Sequence, residues 1–373
     1  MPALMDDTAL RLTGQDRVLV IRLGAVGDVL RTLPALHLIR QAYPDVNLTW
    51  IVEDLSRDLL LGHPEIDEVL RLPRRELKEA AASPLRFVKG LKELARDLRR
   101  RRFTVALDFQ GSFKSGLLSW MSGAPRRVGF APGHCREMSF LFTNLRVRPR
   151  AQRLNRVEKN LALAEAVGAA GDEVAVVLPE SPEEGERAAS ILRDAAPRGE
   201  AVAVLSPGTS RRQAHKRWPA ERYARLAALL RDTLGAVPLV AWGPGEETVA
   251  RVIVEGSSGR AHVAPATSLR VLAAILRRAG VFIGADTGPM HLAWAVGCPV
   301  VALFGPTDPG LNAPLGPGNA ILRVGRSMAD LSPEQVLAAA RSILARPRRP
   351  GGAGWPARWS RHHLFGSAAG AQP

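Results

Sequence analysis

Short apolar runs alternate along this chain with longer segments in which apolar residues recur every three or four positions. The short runs fall at 18–23, 47–52, 104–108, 201–205, 237–242, 281–284 and 300–304. They are mostly apolar rather than alternating, which predicts strands covered on both faces. Helical spacing falls at 32–42, 86–102, 157–168, 220–234, 269–279 and 289–296. Pro34 is tolerable only in a first turn. Ser332-Pro333-Glu334-Gln335 opens one more helix, with a capping box and proline at its first position. This alternation predicts an α/β protein with parallel sheets and helices on both faces. The series starts afresh after the acidic stretch Pro179–Arg187, a composition break and candidate hinge. Two Rossmann-like lobes facing a central cleft are therefore expected, at 17–178 and 179–345. An N-terminal extension (1–16) and an Arg-, Pro- and Gly-rich tail (346–373), expected to be disordered, flank them. In such sheets ligands bind beyond the carboxyl ends of strands, so the loops after strands are where chemistry is expected.

Composition narrows the class. With 373 residues, 46% hydrophobic and 23% charged, the chain can bury a core of ordinary size without disulfides or metal. Cys135 and Cys298 are far apart and form no C-x-x-C pair, which fits a reducing cytosol. The first sixteen residues lack a basic segment followed by an apolar one, so no signal peptide is expected. The longest charge-free run, Thr287–Thr307, contains three glycines and three prolines and is not read as a spanning helix. A cytosolic protein is expected.

The net charge of +15 is uneven. Residues 71–102 carry +8, residues 146–159 carry +5, and residues 346–373 carry another +5. All but six of the 51 basic residues are arginines, so a single arginine is weak evidence and a lysine slightly stronger. The arginine-rich segment 86–102 is either a solvated face or a surface for an anionic partner. Nucleic-acid binding would want interleaved aromatics, and Phe87 and Phe103 alone are available in 71–103.

Three loops after predicted strands carry the chemistry. Gly24-Ala25-Val26-Gly27-Asp28 brings backbone close to a ligand and presents a carboxylate; Asp28 either caps the next helix or faces a substrate. The loop is not G-x-G-x-x-G, although Glu53 and Asp54 stand where a ribose-binding acid would, which leaves a nicotinamide-dependent oxidoreductase open. Ser206-Pro207-Gly208-Thr209-Ser210, with Lys216 six positions on, offers hydroxyls, amides and a point charge suited to phosphate, or is a polar connection. Asp286-Thr287-Gly288-Pro289-Met290-His291 joins a buried strand to a short helix whose first amides suit a diphosphate. A single D-T-G in an α/β pattern excludes an aspartic protease. His291 can reach a phosphate or sugar hydroxyl from the first turn, or sit satisfied in the core. No histidine–carboxylate cluster has metal spacing; His362 and His363 lie in the tail.

The segments 17–36, 108–130, 206–219, 242–247 and 284–309, in that order, resemble the ADP-heptose:lipopolysaccharide heptosyltransferases, glycosyltransferase family 9. The resemblance covers roughly 17–345. It implies a GT-B fold and transfer of heptose from ADP-heptose to the lipopolysaccharide inner core with inversion. It implies no cofactor and no tightly bound metal. Asp28 matches the general base, with Gly27 beside it on the acceptor side. Thr209 and Ser210 match a hydroxyl pair near the donor phosphates, and Lys216 matches the lysine on donor sugar and phosphate. Glu246, with Glu247 adjacent, matches the acid holding the nucleoside. Asp286, Thr287, Gly288 and His291 match the donor loop, and Arg136 matches an acceptor-binding arginine. The implied partners are the nucleotide-sugar donor and an anionic lipid acceptor, with peripheral contact at the cytoplasmic face of the inner membrane and no nucleic acid. A glycosyltransferase of this fold using another nucleotide sugar or acceptor is the alternative.

Overall fold

The computed structural model describes residues 10–80, 82–209, 211–346 and 357–360. The chain divides between Ala175 and Val176 into two units. The first unit holds β1 (Arg17–Ile21), β2 (Asn47–Val52), β3 (Glu68–Arg71), β4 (Val105–Asp108), β5 (Arg126–Phe130) and β6 (Leu145–Val147). They form one parallel sheet in the order β3-β2-β1-β4-β5-β6. A short strand, β7 (Glu173–Val176), spans the division. The second unit holds β8 (Val202–Ser206), β9 (Val237–Val240), β10 (His262–Val263), β11 (Val281–Ala285), β12 (Val300–Phe304) and β13 (Ala320–Arg323). Their parallel order is β10-β9-β8-β11-β12-β13.

Both sheets are therefore built alike, and each reverses direction between its first and fourth strands. That switch point opens a crevice beyond the carboxyl ends of those two strands. In the first unit they are β1 and β4, with Ile21 opposite Asp108. In the second they are β8 and β11, with Ser206 opposite Gly284. Topology alone thus selects the loops after Ile21, Asp108, Ser206 and Ala285.

The central strands Val-Leu-Val-Ile of β1, Val-Ala-Val-Leu of β8, Val-Phe-Ile of β11 and Val-Val-Ala-Leu-Phe of β12 are buried throughout. Each fully buried Val, Ile, Leu or Phe contributes about 1.5–3 kcal/mol relative to exposure, which pins the strand ends.

The structure changes several expectations. The loop after β1 already contains a short helix, Val26–Leu30, that carries Asp28 in its first turn. The acidic stretch read as a hinge is the start of the helix Pro182–Ala195, where Ser181 and Glu184 form a capping box. Its carboxylates are held by arginines of the helix Leu269–Arg278: Glu180 by Arg277 and Arg278, and Glu184 by Arg270. The described end of the N-terminal extension packs: Leu12 is buried and the Leu10 amide donates to Ala166 O at 3.0 Å. In the tail, β14 (Ala357–Ser360) is a strand, and Trp359 stacks on Trp294 at 5.1 Å. Residues 1–9, 347–356 and 361–373 lie outside the described residues. Among the described residues no helix is long and apolar enough to cross a membrane.

Candidate functional site

The first unit presents a carboxylate gripped by two guanidinium groups. Asp28 and Arg31 are three apart on one helical face, and Arg31 Nη2 lies 2.6 Å from Asp28 Oδ1. Arg22, just past β1, brings its Nη2 to 3.0 Å from the same oxygen. Both arginine side chains are buried, whereas the Asp28 side chain keeps 27% of its surface exposed. The cations therefore stand behind the carboxylate and leave its tip toward solvent. Each arginine is itself fixed. Arg22 Nη1 donates to Phe109 O, and the Trp50 indole donates to Arg22 O at 2.9 Å. Arg31 Nε donates to the carbonyl of Gly27 at 3.1 Å, so Gly27 serves the clamp through its backbone.

Beside them, at the end of β4, Asp108 is fully buried. Its Oδ1 accepts from the amides of Gln110 and Gly111 at 3.1 and 2.9 Å, in a turn where Gly111 has φ +65° and a side chain would be strained. Its Oδ2 is buried with no partner among the described residues. Burial pushes the Asp108 carboxyl up to about 6, against the Gly111 and Gln110 amides and the charge of Arg22. The folded value lies above the unfolded value of about 3.9. The group's favourable contribution is thus complete below about pH 4 and lost as pH rises through about 6, a change of about 3 kcal/mol. The non-titrating Asp108→Asn should therefore gain melting temperature relative to the native chain between about pH 4 and pH 7. A pH-independent difference in differential scanning fluorimetry would contradict this.

Arg136 is placed by the same turn: its amide donates to Gly111 O at 2.6 Å, and Glu137 and Met138 after it are both left-handed, at φ +50° and +55°. Its guanidinium is exposed. Nearby, the Lys159 ammonium donates to His134 O and lies 4.4 Å from the centre of the Phe130 ring. Burial pushes Lys159 down to about 8, and the neighbouring cations Arg156, Arg22 and Arg136 push the same way. This region favours an anion.

In the second unit the D-T-G loop organises a cation. Asp286 is buried, and its Oδ2 lies 3.1 Å from Lys216 Nζ and 3.2 Å from Asn312 Nδ2. Its Oδ1 lies 3.3 Å from His291 Nε2. Burial alone would raise the carboxyl, but His291 and Lys216 outweigh it and hold Asp286 well below the usual carboxylate range. Asp286 is an anchor rather than a proton carrier. Lys216 also donates to Asp286 O at 3.1 Å, which fixes its ammonium beside the start of the helix Gly288–Ala295. There the Thr287 hydroxyl turns back to Ala285 O at 3.2 Å and does not cap the helix. The amides of Gly288 and Met290 lie in the first turn, which has no preceding helical carbonyl to offer them. A diphosphate suits that position.

The segment Lys216-Arg217-Trp218-Pro219 explains why Lys216 points there. Trp218 is buried, donates to Leu331 O at 3.1 Å and meets Tyr223 edge-on at 4.8 Å. Arg217 clamps Thr209, with Nε on Oγ1 and Nη2 on the carbonyl, both at 2.9 Å. Ser210, the other predicted hydroxyl, lies outside the described residues. Geometry also separates the two candidate acids. Glu247 pairs with Arg251 one turn on. Glu246 accepts from the Gly243 amide at 2.9 Å and lies over Gly208, where an added Cβ would come within 1.8 Å of its Oε2. Gly208→Ala should therefore displace the Glu246 carboxylate at little cost in stability. The resemblance gives Glu246 the nucleoside, and on that expectation calorimetric titration should show ADP affinity falling about tenfold, the scale of losing one hydrogen bond to a charged group; unchanged affinity would take that role from Glu246.

The structure thus gathers Lys216, Asp286, Thr287, Gly288 and His291 at one point, and Glu246 with Gly208 at another. Sequence reasoning missed Arg22, Arg31, Asp108, Lys159, Arg217 and Asn312. Among the described residues no group of three or more His, Cys, Asp or Glu could hold a metal ion.

The sequence model of glycosyltransferase family 9 (heptosyltransferase) matches residues 91–339. Lipopolysaccharide heptosyltransferase 1 of Salmonella typhimurium is 30% identical over 326 residues, covering 86% of this chain and 96% of the relative. Lipopolysaccharide heptosyltransferase 2 of Escherichia coli is 26% identical over 356 residues, covering 88% and 98%. The structure of E. coli heptosyltransferase WaaC with ADP-2-deoxy-2-fluoro heptose superposes with a TM-score of 0.71 at 27% identity, covering 87% of this chain and 99% of that one.

Proposed function

The chain belongs to glycosyltransferase family 9, the heptosyltransferases, and on that premise we propose that it transfers a heptose from ADP-heptose to an anionic acceptor of the lipopolysaccharide inner core. Its fold is of the GT-B type, two Rossmann-like units each on a six-stranded parallel sheet. The observation that carries the reading is the Lys216–Asp286–His291 cluster at the start of the helix Gly288–Ala295. A fixed ammonium and first-turn amides meet the charge that grows on a departing diphosphate. Glu246 over Gly208 supplies an acceptor for a nucleoside hydroxyl, and the E. coli relative's complex with an ADP-heptose analogue supports that donor class.

The first unit presents a base of the kind that an inverting displacement needs. Asp28 takes the proton of the acceptor hydroxyl as its oxygen bonds to the anomeric carbon, and the bond to the diphosphate breaks on the opposite face. Lys159 and Arg136, a half-buried ammonium and an exposed guanidinium, suit the acceptor's carboxylates or phosphates. The enzyme would work in the cytoplasm, peripheral at the inner membrane where its lipid acceptor is made.

Mixing the chain with ADP-heptose and Kdo-lipid A, and following product mass and released ADP, tests the proposal. One added heptose per acceptor with matching ADP release is expected. Turnover with UDP- or GDP-sugars instead would overturn the donor assignment.

A further inference from the structure

The surplus of positive charge in 71–102 resolves into two parts. Arg71 pairs with Asp54 and Glu76, Arg74 with Glu53, Arg75 with Glu79 and Arg101 with Glu68. These cations are neutralised. The helix Pro84–Arg100 between them is different. Its inner face, Leu91, Leu94, Ala95 and Leu98, packs on the core of the first unit. At 3.6 residues per turn, Leu85, Val88, Lys89, Lys92, Arg96 and Arg100 fall within about 120° of one another on the outer side. Glu93 and Asp97 fall beyond the edge of that sector, and Asp97 lies 3.6 Å from Arg101. Among the described residues, Lys92, Arg96 and Arg100 have no carboxylate within ion-pair distance, and Lys89 meets only Glu93, at 4.0 Å. Leu85 is 85% exposed and Val88 47%.

We infer that this outer face of the helix docks on an anionic lipid bilayer. Lys92, Arg96 and Arg100, with Lys89 held only at 4.0 Å by Glu93, complement lipid phosphates. Leu85 and Val88, exposed near the start of the helix, enter the headgroup boundary, and the long basic side chains lie along it with their charges in water. A nucleic acid is the poorer fit, because the one aromatic of this helix, Phe87, falls on the inner side. The inference deepens the proposed reaction, whose acceptor is itself a lipid, by naming the surface that brings the enzyme to it.

The full chain is sedimented with vesicles of phosphatidylglycerol and phosphatidylethanolamine, and separately with phosphatidylcholine vesicles. Two double variants are compared with it, Lys92→Glu with Arg96→Glu and Leu85→Ser with Val88→Ser. All four side chains are exposed, so melting curves should not move. Binding to the anionic vesicles alone is expected, about tenfold weaker in the charge-reversed variant and several-fold weaker in the serine variant. Heptose transfer to a water-soluble, deacylated acceptor should be unchanged in both. Equal binding by native chain and variants, no binding by the native chain, or preference for a DNA duplex over the vesicles would overturn the docking surface. Helix-dependent vesicle binding without heptose transfer would leave the surface standing and remove the proposed reaction instead.

Discussion

Asp28→Asn is expected to lower kcat by about 100- to 10,000-fold, the range for losing a positioned general base. The exchange changes charge and basicity and almost nothing in shape. Its amide oxygen can still accept from Arg22 and Arg31, which reach Asp28 Oδ1 at 3.0 and 2.6 Å in the native chain. The acceptor hydroxyl then has nowhere to send its proton, and the barrier rises by about 3–5 kcal/mol. Stability should fall too, by about 1–3 kcal/mol, because two buried guanidinium groups lose their counter-charge. The readouts separate the two effects. ADP titration reports on residues of the second unit and should be unchanged, and circular dichroism should show a folded chain. Near-native turnover in Asp28→Asn would remove the base from Asp28, whatever happens to the melting temperature.

The strands and the two motif-rich loops were legible because they rest on local chemistry. The mostly apolar runs at 18–23, 201–205, 281–284 and 300–304 mark the central strands. The D-T-G loop and Lys216-Arg217-Trp218-Pro219 stood out as residue types unusual after a strand. Arg22 and Arg31 did not, since an arginine carries little signal in a chain with 51 basic residues. What distinguishes Arg22 is its contact with Phe109 O, made across 87 positions and set by the pairing of β1 with β4. Asp108 was readable as the end of a strand, but its buried, half-satisfied carboxylate depends on the turn through Gly111.

The acidic stretch taken as a candidate hinge shows what composition hides. Ser181-Pro182-Glu183-Glu184 has the same form as Ser332-Pro333-Glu334-Gln335, and both open helices with capping boxes. The acidic composition obscured the first of them. Glu180 and Glu184 gain their arginine partners from Arg270, Arg277 and Arg278, nearly a hundred residues on. Composition reports what a segment would prefer alone; the helix Leu269–Arg278 decides what it does.

Lys216→Ala is expected to cut kcat/KM for the donor by about 100- to 1,000-fold, the loss typical of removing one preorganised charge stabiliser. In the native chain the ammonium is nearly buried, 3.1 Å from both the carboxylate and the carbonyl oxygen of Asp286. That geometry keeps it from spending its charge on solvent and fixes it beside the helix start. Lys216→Arg should rescue little, because a planar guanidinium cannot replace a point charge held between those two oxygens. Asp286→Asn should act through the same ammonium, which keeps an oxygen to donate to but loses its counter-charge. The double variant should therefore lose much less than the product of the two single losses, a coupling that a cycle of kcat/KM values measures directly. Independent losses would mean that Asp286 serves the donor through His291 and Asn312 rather than through Lys216. Unchanged donor kinetics in Lys216→Ala would place the diphosphate elsewhere in the second unit.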